Sequence, residues 1–235
     1  MCTVSWVHQP GGYHLLCNRD EKHTRGSALG PQVVERGGVR YIAPADADSG
    51  GTWITVNEFG IAACLLNRTS GTVASRSRGL LLRDLAWASP SDECLVRLRQ
   101  MDLRPFAGFT LLVLEPDAAA KVAEWDGSRL VVDPAGDAHM PLTSSSYDAA
   151  GVRSARLNEF ARHAGPRVDA AALYRFHTSH GKAPDAYSPC MHRADAETVS
   201  FSWVTVSRSE VRFLYSPAAP CRCSAGEQRI MDRAA

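Results

Sequence analysis

The chain has 235 residues, of which 45% are hydrophobic, which is enough for one well-packed core or at most two small domains. Its 26 Lys and Arg residues nearly balance its 25 Asp and Glu residues, so no strong field would attract nucleic acid or an anionic membrane. No apolar stretch approaches the ~20 residues of a transmembrane helix and no signal peptide is visible, so we expect a cytoplasmic protein with no membrane span and no nucleic-acid partner.

The predicted elements follow the order strands, two helices, strands, two helices, strands. The first hairpin turns at Gln9-Pro10-Gly11-Gly12, a strong turn signal between two apolar runs. Hairpins dominate and no strand–helix–strand alternation is present, so we expect mainly antiparallel sheets. Strands are predicted at 3–7, 13–18, 33–34, 40–42, 52–56, 61–66, 109–114, 121–125, 129–132, 199–206 and 211–215, and helices at 78–87, 92–101, 147–163 and 170–177. Ser91 is the expected N-cap of the second helix.

The predicted domain organisation is simple, because no internal repeat or low-complexity block interrupts the chain. We expect one domain over residues 2–222. Residues 223–235 are polar and small, and they are predicted to form a disordered tail.

The seven cysteines are an odd number, and they are scattered along the chain. Cys17, Cys64 and Cys94 lie inside apolar runs, where a reduced cysteine behaves as a small core residue. A disulfide framework is therefore not expected in the predicted compartment.

Cys2 follows the initiator Met directly, which raises the question of an N-terminal nucleophile. Removal of Met1 is expected because the next residue is small, and it would leave Cys2 with a free α-amine. A thiol with a pKa near ~8.5 and an amine near ~7.7–8.0 would then share one residue, and the amine can take the thiol proton and return it to a leaving amine. The amine and the nearby Arg19 should lower the thiol pKa. The alternative, which the residues alone leave open, is an ordinary near-terminal cysteine.

The sequence CNRDE, which ends at residue 21, follows one hairpin after Cys2. Asp20 is a candidate to hold the amine by a charge-assisted hydrogen bond. In a regular strand Asn18 and Asp20 share one face while Arg19 points to the other, so a bulge after Cys17 would be needed to bring both charges into one pocket. Of the two, we expect Asp20 to face Cys2.

These motifs resemble a known family. MCTVSW, CNRDE, GGTWITV at 50–56 and NEFGIAACLLN at 57–67 are similar to the NRDE family, which includes transport and Golgi organisation protein 2-like members. The segment 57–67 also resembles bile-salt hydrolases and penicillin V acylases, which are N-terminal cysteine hydrolases. CMHRADAETVSFSWVTV at 190–206 and PC at 220–221 resemble the acyl-CoA:isopenicillin acyltransferase group. The resemblance implies an α+β fold, a four-layer αββα sandwich of the N-terminal nucleophile hydrolase type.

The resemblance also implies catalytic roles. Cys2 matches the nucleophile of the hydrolases, Asp20 the carboxylate that steadies the α-amine, and Arg19 the arginine beside it. The hydrolases separate this Arg and Asp by two residues, whereas here they are adjacent. Asn67 matches the asparagine that donates to the oxyanion, although a polar amide at a strand end also suits a backbone cap.

Four further residues are predicted to contact substrate: Asn18, Trp53, Ser144 and Arg193. A second oxyanion asparagine of the hydrolases should fall in LTSSSYD, where Ser144 or Ser145 offers a hydroxyl instead. The resemblance also implies that Arg193 stands where those enzymes have a late arginine. Trp53 has the alternative of a core aromatic residue.

The last cysteines are also candidate metal ligands. Cys190, His192, Cys221 and Cys223 are enough ligands for tetrahedral zinc. Each pair has one intervening residue, which is tighter than the usual spacing, and the acyltransferase resemblance accounts for the first pair and Cys221 without metal. We therefore expect no metal and no cofactor, with zinc as the alternative.

Two classes of function follow. The first is an amidohydrolase or acyl-transfer enzyme that acts on an amide or thioester of a small molecule or peptide through Cys2. The second, from the NRDE branch itself, is a non-enzymatic binder or carrier of haem, acyl-CoA or lipid. Hydrolysis requires a free Cys2, whereas a pocket that only binds tolerates Ala there, and the fold alone does not decide. A homo-oligomer is left open.

Overall fold

The computed structural model describes residues 2–69, 74–165, 168–222 and 226–234. Within these ranges, strands and helices alternate in the predicted order. The strands are β1 (Cys2–Gln9), β2 (Gly12–Lys22), β3 (Leu29–Arg36), β4 (Val39–Ala45), β5 (Ile54–Asn57), β6 (Ala62–Asn67), β7 (Phe109–Leu114), β8 (Lys121–Trp125), β9 (Leu130–Asp133), β10 (Leu142–Thr143), β11 (Ala196–Val206), β12 (Glu210–Ser216) and β13 (Glu227–Asp232). The helices are α1 (Arg78–Leu85), α2 (Ser91–Gln100), α3 (Ala149–Ala164) and α4 (Ala170–Thr178). Of the helices in these ranges, none combines the length and the apolar character needed to cross a membrane.

The strands form two antiparallel sheets. One sheet has the order β10-β1-β2-β11-β12-β13, and the other has the order β3-β4-β5-β6-β7-β8-β9. The second sheet follows the chain from hairpin to hairpin, as the turn signals predict. In the first sheet the N-terminal hairpin lies between β10 and β11, so its partners come from the C-terminal half of the chain.

Three apolar clusters define four layers. The largest lies between the sheets and joins one face of the N-terminal hairpin, with Trp6 and Leu15, to one face of β5 and β6. A second cluster packs α1 and α2 against the outer face of the β6–β7–β8 region. The third packs α4 against the outer face of the other sheet, through Leu173, Leu16 and Phe201. The αββα sandwich and the antiparallel sheets are therefore confirmed.

Strand β2 is the most enclosed part of the first sheet. Every residue from 15 to 20 is buried, because the other sheet covers one face and α4 covers the other. Its register with β1 is continuous, with Cys2 opposite Arg19 and Thr3 opposite Asn18. Directly opposed residues of an antiparallel pair point to the same face, so this register fixes which polar side chain accompanies Cys2.

Gly51 allows a close backbone approach beside the start of α1. A Cβ at this position would lie 2.5 Å from the carbonyl carbon of Gly79, a contact that the backbone cannot relieve. The Thr52 N–H donates to the Gly79 carbonyl at 3.0 Å. The loop before β5 is thereby held against the N-terminus of α1.

Several predicted boundaries need correction. Helix α2 begins at Ser91 with Pro90 as its N-cap, so the prediction of Ser91 as the cap is wrong. The predicted disordered tail is wrong for residues 227–232, which form β13 on the free edge of β12. The polar sequence EQRIMD lacks the apolar alternation that is typical of a strand. It forms one because the backbone N–H and C=O groups at the edge of β12 can pair with a neighbouring segment largely irrespective of the side chains of that segment.

The edge strand β13 gives a test of this correction. Met231 is 4% exposed and packs in the inter-sheet core, while the adjacent Ile230 is 48% exposed. Met231→Ala should lower the free energy of unfolding by about 2–5 kcal/mol, because it leaves a cavity in the core. Ile230→Ala, the matched control, should change it by no more than about 0.5 kcal/mol. Equal effects in denaturant melts would show that β13 does not dock as described.

Candidate functional site

A cavity of about 390 Å³ lies beside Cys2, where β1 begins, β2 and β6 end, and α1 begins. Its wall combines five segments of the chain: the start of β1, the end of β2 with the residues that follow it, the loop before β5, the end of β6, and the start of α1. They meet because the two sheets are stacked and the loop before β5 is held against α1. The predicted site residues among those that line it are Cys2, Arg19, Trp53 and Asn67.

Cys2 is fixed by a two-way contact with the segment that follows β10. Its backbone N–H donates to the Ser144 hydroxyl at 2.9 Å, and the Ser144 N–H donates to the Cys2 carbonyl at 3.0 Å. Ser144, predicted as a substrate contact, therefore lies at the nitrogen that would become the α-amine. Its hydroxyl is an acceptor for that nitrogen.

The thiol of Cys2 is buried beside Cys17. A hydrogen bond with Cys17 raises the pKa of the Cys2 thiol well above its usual value, and burial and the negative charges of Cys17 and Asp20 add to the increase. With Met1 still attached, the Cys2 thiol is therefore protonated at neutral pH. The predicted lowering of this pKa concerns the thiol after Met1 is removed, and it stays a prediction. Any nucleophilic role needs a base that removes the proton.

Arg19 shares the sheet face of Cys2 and is held on two sides. Its Nη2 donates to Asp46 Oδ2 at 2.7 Å, and its guanidinium carbon lies 4.5 Å from the ring centroid of Trp53. A cation over an indole face is attracted by the ring quadrupole. The side chain is thus orientated in the cavity wall by an anion and an aromatic ring.

Asp46, which sequence analysis missed, organises this side of the cavity. Its carboxylate accepts from Arg19, from Nε and Nη2 of Arg25 at 2.9 Å each, and from the N–H and hydroxyl of Ser49. Burial alone would raise the pKa of Asp46, but the hydrogen bonds from Arg25 and Ser49 outweigh it and lower the pKa to about 2. The Asp-x-x-Ser spacing of a local turn was the one signal in the sequence for part of this contact set.

Trp53 and Asn67 both line the cavity. Trp53 also belongs to the inter-sheet core, so its two predicted roles are compatible. Its indole N–H is buried and has no hydrogen-bond partner among the described residues. Asn67 shares its face of β6 with Leu65, another lining residue, and the described part of the chain offers its side chain no hydrogen bond. The alternative of a backbone cap therefore gains no support.

Arg78 is a further lining residue that sequence analysis missed. It is the first residue of α1, and its Nη1 donates to the Gly108 carbonyl at 2.7 Å. Burial lowers the pKa of Arg78, while the charges of Cys2 and Glu21 raise it. Among the described residues no carboxylate forms an ion pair with it, so part of its guanidinium remains available to a ligand. No sequence pattern marks it, because Arg at a helix start is ordinary.

Asp20 lies on the opposite face of β2, away from the cavity wall. It is fully buried, and it accepts from the Thr198 hydroxyl at 2.6 Å and from Nη2 of Arg156 at 3.2 Å. Arg156, a buried residue of α3, also donates to the Thr3 hydroxyl. The expectation that Asp20 rather than Arg19 faces Cys2 is wrong, because the β1–β2 register has no bulge. The carboxylate acts on the Cys2 thiol through its charge.

Asn18, predicted as a substrate contact, is a buried structural residue on the same face as Asp20. Its amide donates to the carbonyls of His177 and Pro189, at 2.9 Å each. It therefore ties the end of α4 and the following loop to β2. The prediction failed because an isolated motif does not show which face of a doubly covered strand meets the cavity.

Arg193 lies outside the first cavity. It lines a neighbouring cavity of about 740 Å³, where its guanidinium carbon is 4.9 Å from the ring centroid of Tyr147 and it pairs with Asp195 at 2.8 Å. Asn67 and Arg78 line both cavities, so the two adjoin. Its role as a substrate contact stays a prediction.

Solved structures with a similar fold include penicillin V acylase from Agrobacterium tumefaciens, with a TM-score of 0.59, 11% identity, and coverage of 99% of this chain and 86% of that one. The Caenorhabditis elegans orthologue of N-acylethanolamine-hydrolyzing acid amidase has a TM-score of 0.58, 13% identity and coverage of 85% and 91%. The C2A mutant of conjugated bile acid hydrolase from Clostridium perfringens has a TM-score of 0.53, 12% identity and coverage of 99% and 92%. At these identities the likeness shows the fold.

A family model described as Transport and Golgi organisation 2 matches residues 1–147. No curated protein sequence matches the chain.

The contacts of Asp46 predict an acid-sensitive contribution to stability. Because its folded pKa is lowered to about 2, this contribution is complete above the unfolded pKa of ~3.9 and is lost as the pH falls towards the folded value. Asp46→Asn should lower the free energy of unfolding at pH 7 by about 1.5–3 kcal/mol, which is the range for hydrogen bonds to charged groups. In this variant the free energy of unfolding should also fall less between pH 4 and about 2 than it does in the unmutated chain. Denaturant melts over this pH range measure both.

Asp102→Asn is the matched control, since the pKa of Asp102 is also lowered to about 2, by hydrogen bonds from Arg104 on an exposed turn. Its replacement should leave the pH profile nearly unchanged because solvent screens the pair. If both variants behave alike, the buried arrangement around Asp46 is not important for stability.

Proposed function

The chain belongs to the Transport and Golgi organisation 2 family, and we propose that this member is an N-terminal cysteine enzyme that cleaves or transfers the acyl group of an amide or thioester. The observation that carries the proposal is the position of Cys2. It is the first residue of β1, it lines a cavity, and its backbone nitrogen is held by Ser144. A nucleophile with its base on the same residue requires this placement.

In the chain that carries Met1 the pKa of the Cys2 thiol is raised, so the proposed chemistry includes a base for the thiol proton. After removal of Met1, the neutral α-amine takes the thiol proton as the sulfur attacks the carbonyl carbon. The carbonyl π electrons move to oxygen and form an oxyanion. When the carbonyl reforms, the bond to nitrogen or to the thioester sulfur breaks, and the α-ammonium returns its proton to the leaving group. Water, or an acceptor amine in transfer, then attacks the thioester on Cys2 and regenerates the thiol.

Neighbouring side chains divide the remaining tasks. Ser144 accepts from the Cys2 nitrogen and orientates it, so it is a positioning residue. Asn67 lines the cavity with its amide uncommitted in the described part of the chain, and we assign it to the oxyanion. On the face of the sheet that the helices cover, Arg156 of α3 donates to Asp20 of β2 and to the hydroxyl of Thr3, the residue after Cys2. These contacts anchor the β1–β2 pair to α3.

The lining indicates the substrate class. Trp53 and Leu65 offer apolar surface, while Arg78 offers a cation without a carboxylate partner among the described residues. An acyl group with an apolar portion and an anionic or carbonyl oxygen would satisfy both. The adjoining cavity with Tyr147 and Arg193 provides room for an extended leaving group. The acylase, amidase and hydrolase names of the similar structures agree with acyl chemistry on this fold.

One observation favours the second candidate, a binder or carrier of haem, acyl-CoA or lipid. The Cys2 thiol is buried, and its hydrogen bond with Cys17 raises its pKa. Both properties are typical of an inert core cysteine, whereas a reactive cysteine has a lowered pKa. A carrier would use the same cavity and its arginines without acylation of Cys2. The fate of Cys2 separates the two candidates.

Replacement of Cys2 tests the nucleophile. Cys2→Ala should lower turnover on a panel of chromogenic amides and acyl thioesters by at least ~10³-fold, because the acyl-enzyme cannot form. Cys94→Ala, at a buried cysteine in the α2 layer, should keep full turnover per folded molecule. Intact mass should show Met1 absent and a trapped acyl group on the N-terminal peptide of the unmutated chain. Full retention of Met1 would falsify this mechanism, and unchanged ligand binding by an inactive chain would support the carrier.

Asn67 gives a test of the oxyanion assignment. Asn67→Ala should lower kcat by ~10²–10³ with little change in KM, because the donor acts on charge that develops in the transition state. Asn158→Ala, at an exposed asparagine of α3 that lines neither cavity, is the matched control and should keep kcat. Thermal melts exclude unfolding as the cause. Full kcat in Asn67→Ala would rule out Asn67 as the oxyanion donor, but it would not bear on the proposal that Cys2 is the nucleophile.

A further inference from the structure

Four potential metal ligands converge on the outer side of the first sheet, apart from the Cys2 cavity. They are His180, Cys190, His192 and Cys221, and one ligand atom of each lies within 4.8 Å of all the others. They come from two places: the loop between α4 and β11 supplies three, and the short 3-10 turn after β12 supplies Cys221. We propose that this cluster is a structural zinc site, and the inference is independent of the proposed function.

The separations suit a tetrahedral ion. His192 Nε2 lies 3.6 Å from Cys190 Sγ and 3.3 Å from Cys221 Sγ. With Zn–S bonds of ~2.3 Å and Zn–N bonds of ~2.0–2.1 Å, tetrahedral ligand atoms are about 3.3–3.8 Å apart. These two separations fall in this range. The other ligand atoms lie within 4.8 Å of one another, so they would move closer by at most about 1.5 Å to bind an ion.

The two histidines present suitable nitrogen atoms. His192 Nδ1 lies 3.2 Å from Glu197 Oε2, so a proton on Nδ1 would be donated to the carboxylate and Nε2 would keep its lone pair for the metal. Glu197 is fixed in turn by Nη1 of Arg222 at 3.1 Å. His180 Nε2 is buried and has no hydrogen-bond partner in the described ranges. A buried polar atom without a partner calls for a ligand.

The ligand set selects the metal. Two thiolates and two imidazoles suit zinc, and two thiolates neutralise its double positive charge, so a partly buried site is not left with net charge. Cys190 is fully buried, and its N–H donates to the Ser179 carbonyl at 3.0 Å. Four protein ligands leave no open coordination position, which is the condition of a structural rather than a catalytic zinc.

A structural role fits the loop that carries three of the ligands. Residues 179–195 contain no helix or strand apart from the bridge between His192 and Glu197. Loops of this length inside a compact domain are uncommon unless something holds them. The loop also contacts β2, because Pro189 accepts from Asn18, and the Met191 N–H donates to Thr198, which donates to Asp20. Zinc would thus hold the loop that covers the polar face of β2.

Cys223, which sequence analysis counted as a ligand, lies outside the described residues. His180 takes the fourth place in the cluster instead. No sequence spacing indicated it, because a Cys-x-His pair with two distant partners matches no common zinc motif.

The test uses the full chain, purified without a metal-affinity step and in the presence of a phosphine reductant, and measures metal content by mass spectrometry. We expect one zinc per chain, and near-complete loss of it in Cys221→Ser, whose side chain is exposed and whose replacement should not disturb folding. Cys190→Ser should behave alike. Reconstitution with Co²⁺ should give the ligand-field and thiolate charge-transfer bands of a tetrahedral site, and Cys221→Ser should abolish them.

Two matched controls locate the ion. Cys94→Ser should keep the zinc, and so should Cys2→Ala; loss of zinc in Cys2→Ala would place the metal in the catalytic cavity and overturn the proposal. Glu197→Gln should weaken zinc binding by about 10–100-fold in competition with a chromophoric chelator, while Glu210→Gln should not. Absence of zinc even after incubation with the ion, or full retention in both Cys190→Ser and Cys221→Ser, would also overturn it. So would a Cys190–Cys221 disulfide that persists in the presence of the phosphine.

Discussion

Alternation along β2 is the constraint on which the rest of the site depends. The strand is covered by the other sheet on one face and by α4 on the other, so each of its side chains must suit one of two buried environments. The motif Asn-Arg-Asp-Glu is therefore divided between them. Arg19 and Glu21 reach the cavity, while Asn18 and Asp20 enter the layer beneath the helices.

The division creates two polar systems with different tasks. On the cavity side, Asp46 and Trp53 hold Arg19 and leave Arg78 and Asn67 to a ligand. On the helix side, buried charges are compensated internally, since Asp20 meets Arg156 and Thr198. If one partner of such a buried pair is removed, the other charge is left uncompensated. The stability lost in this way is larger than the stability that the intact pair contributes. The helix-side system is therefore a rigid support for the strand pair that carries Cys2.

The state of the thiols limits how the site can work. Cys2 contacts Cys17, and Cys17 Sγ lies 3.9 Å from Cys64 Sγ, so the nucleophile candidate is the outermost of three neighbouring buried cysteines. Such surroundings stabilise the protonated thiol. A reaction at Cys2 therefore depends on proton transfer to its own amine during attack, rather than on a thiolate that is present beforehand.

The sequence by itself determined the order of the elements and the first hairpin, which brings CNRDE alongside the start of β1, because hairpin turns and alternation are local properties. It could not determine which face of β2 meets the cavity, and it assigned Asp20 and Asn18 to the wrong side. Only the tertiary structure brought in Asp46, Arg78 and His180, because each depends on a residue distant in the chain: Arg19, Gly108 and Cys221, respectively. Their positions follow from how two sheets stack and where long loops close, and these depend on packing between distant segments rather than on any local pattern.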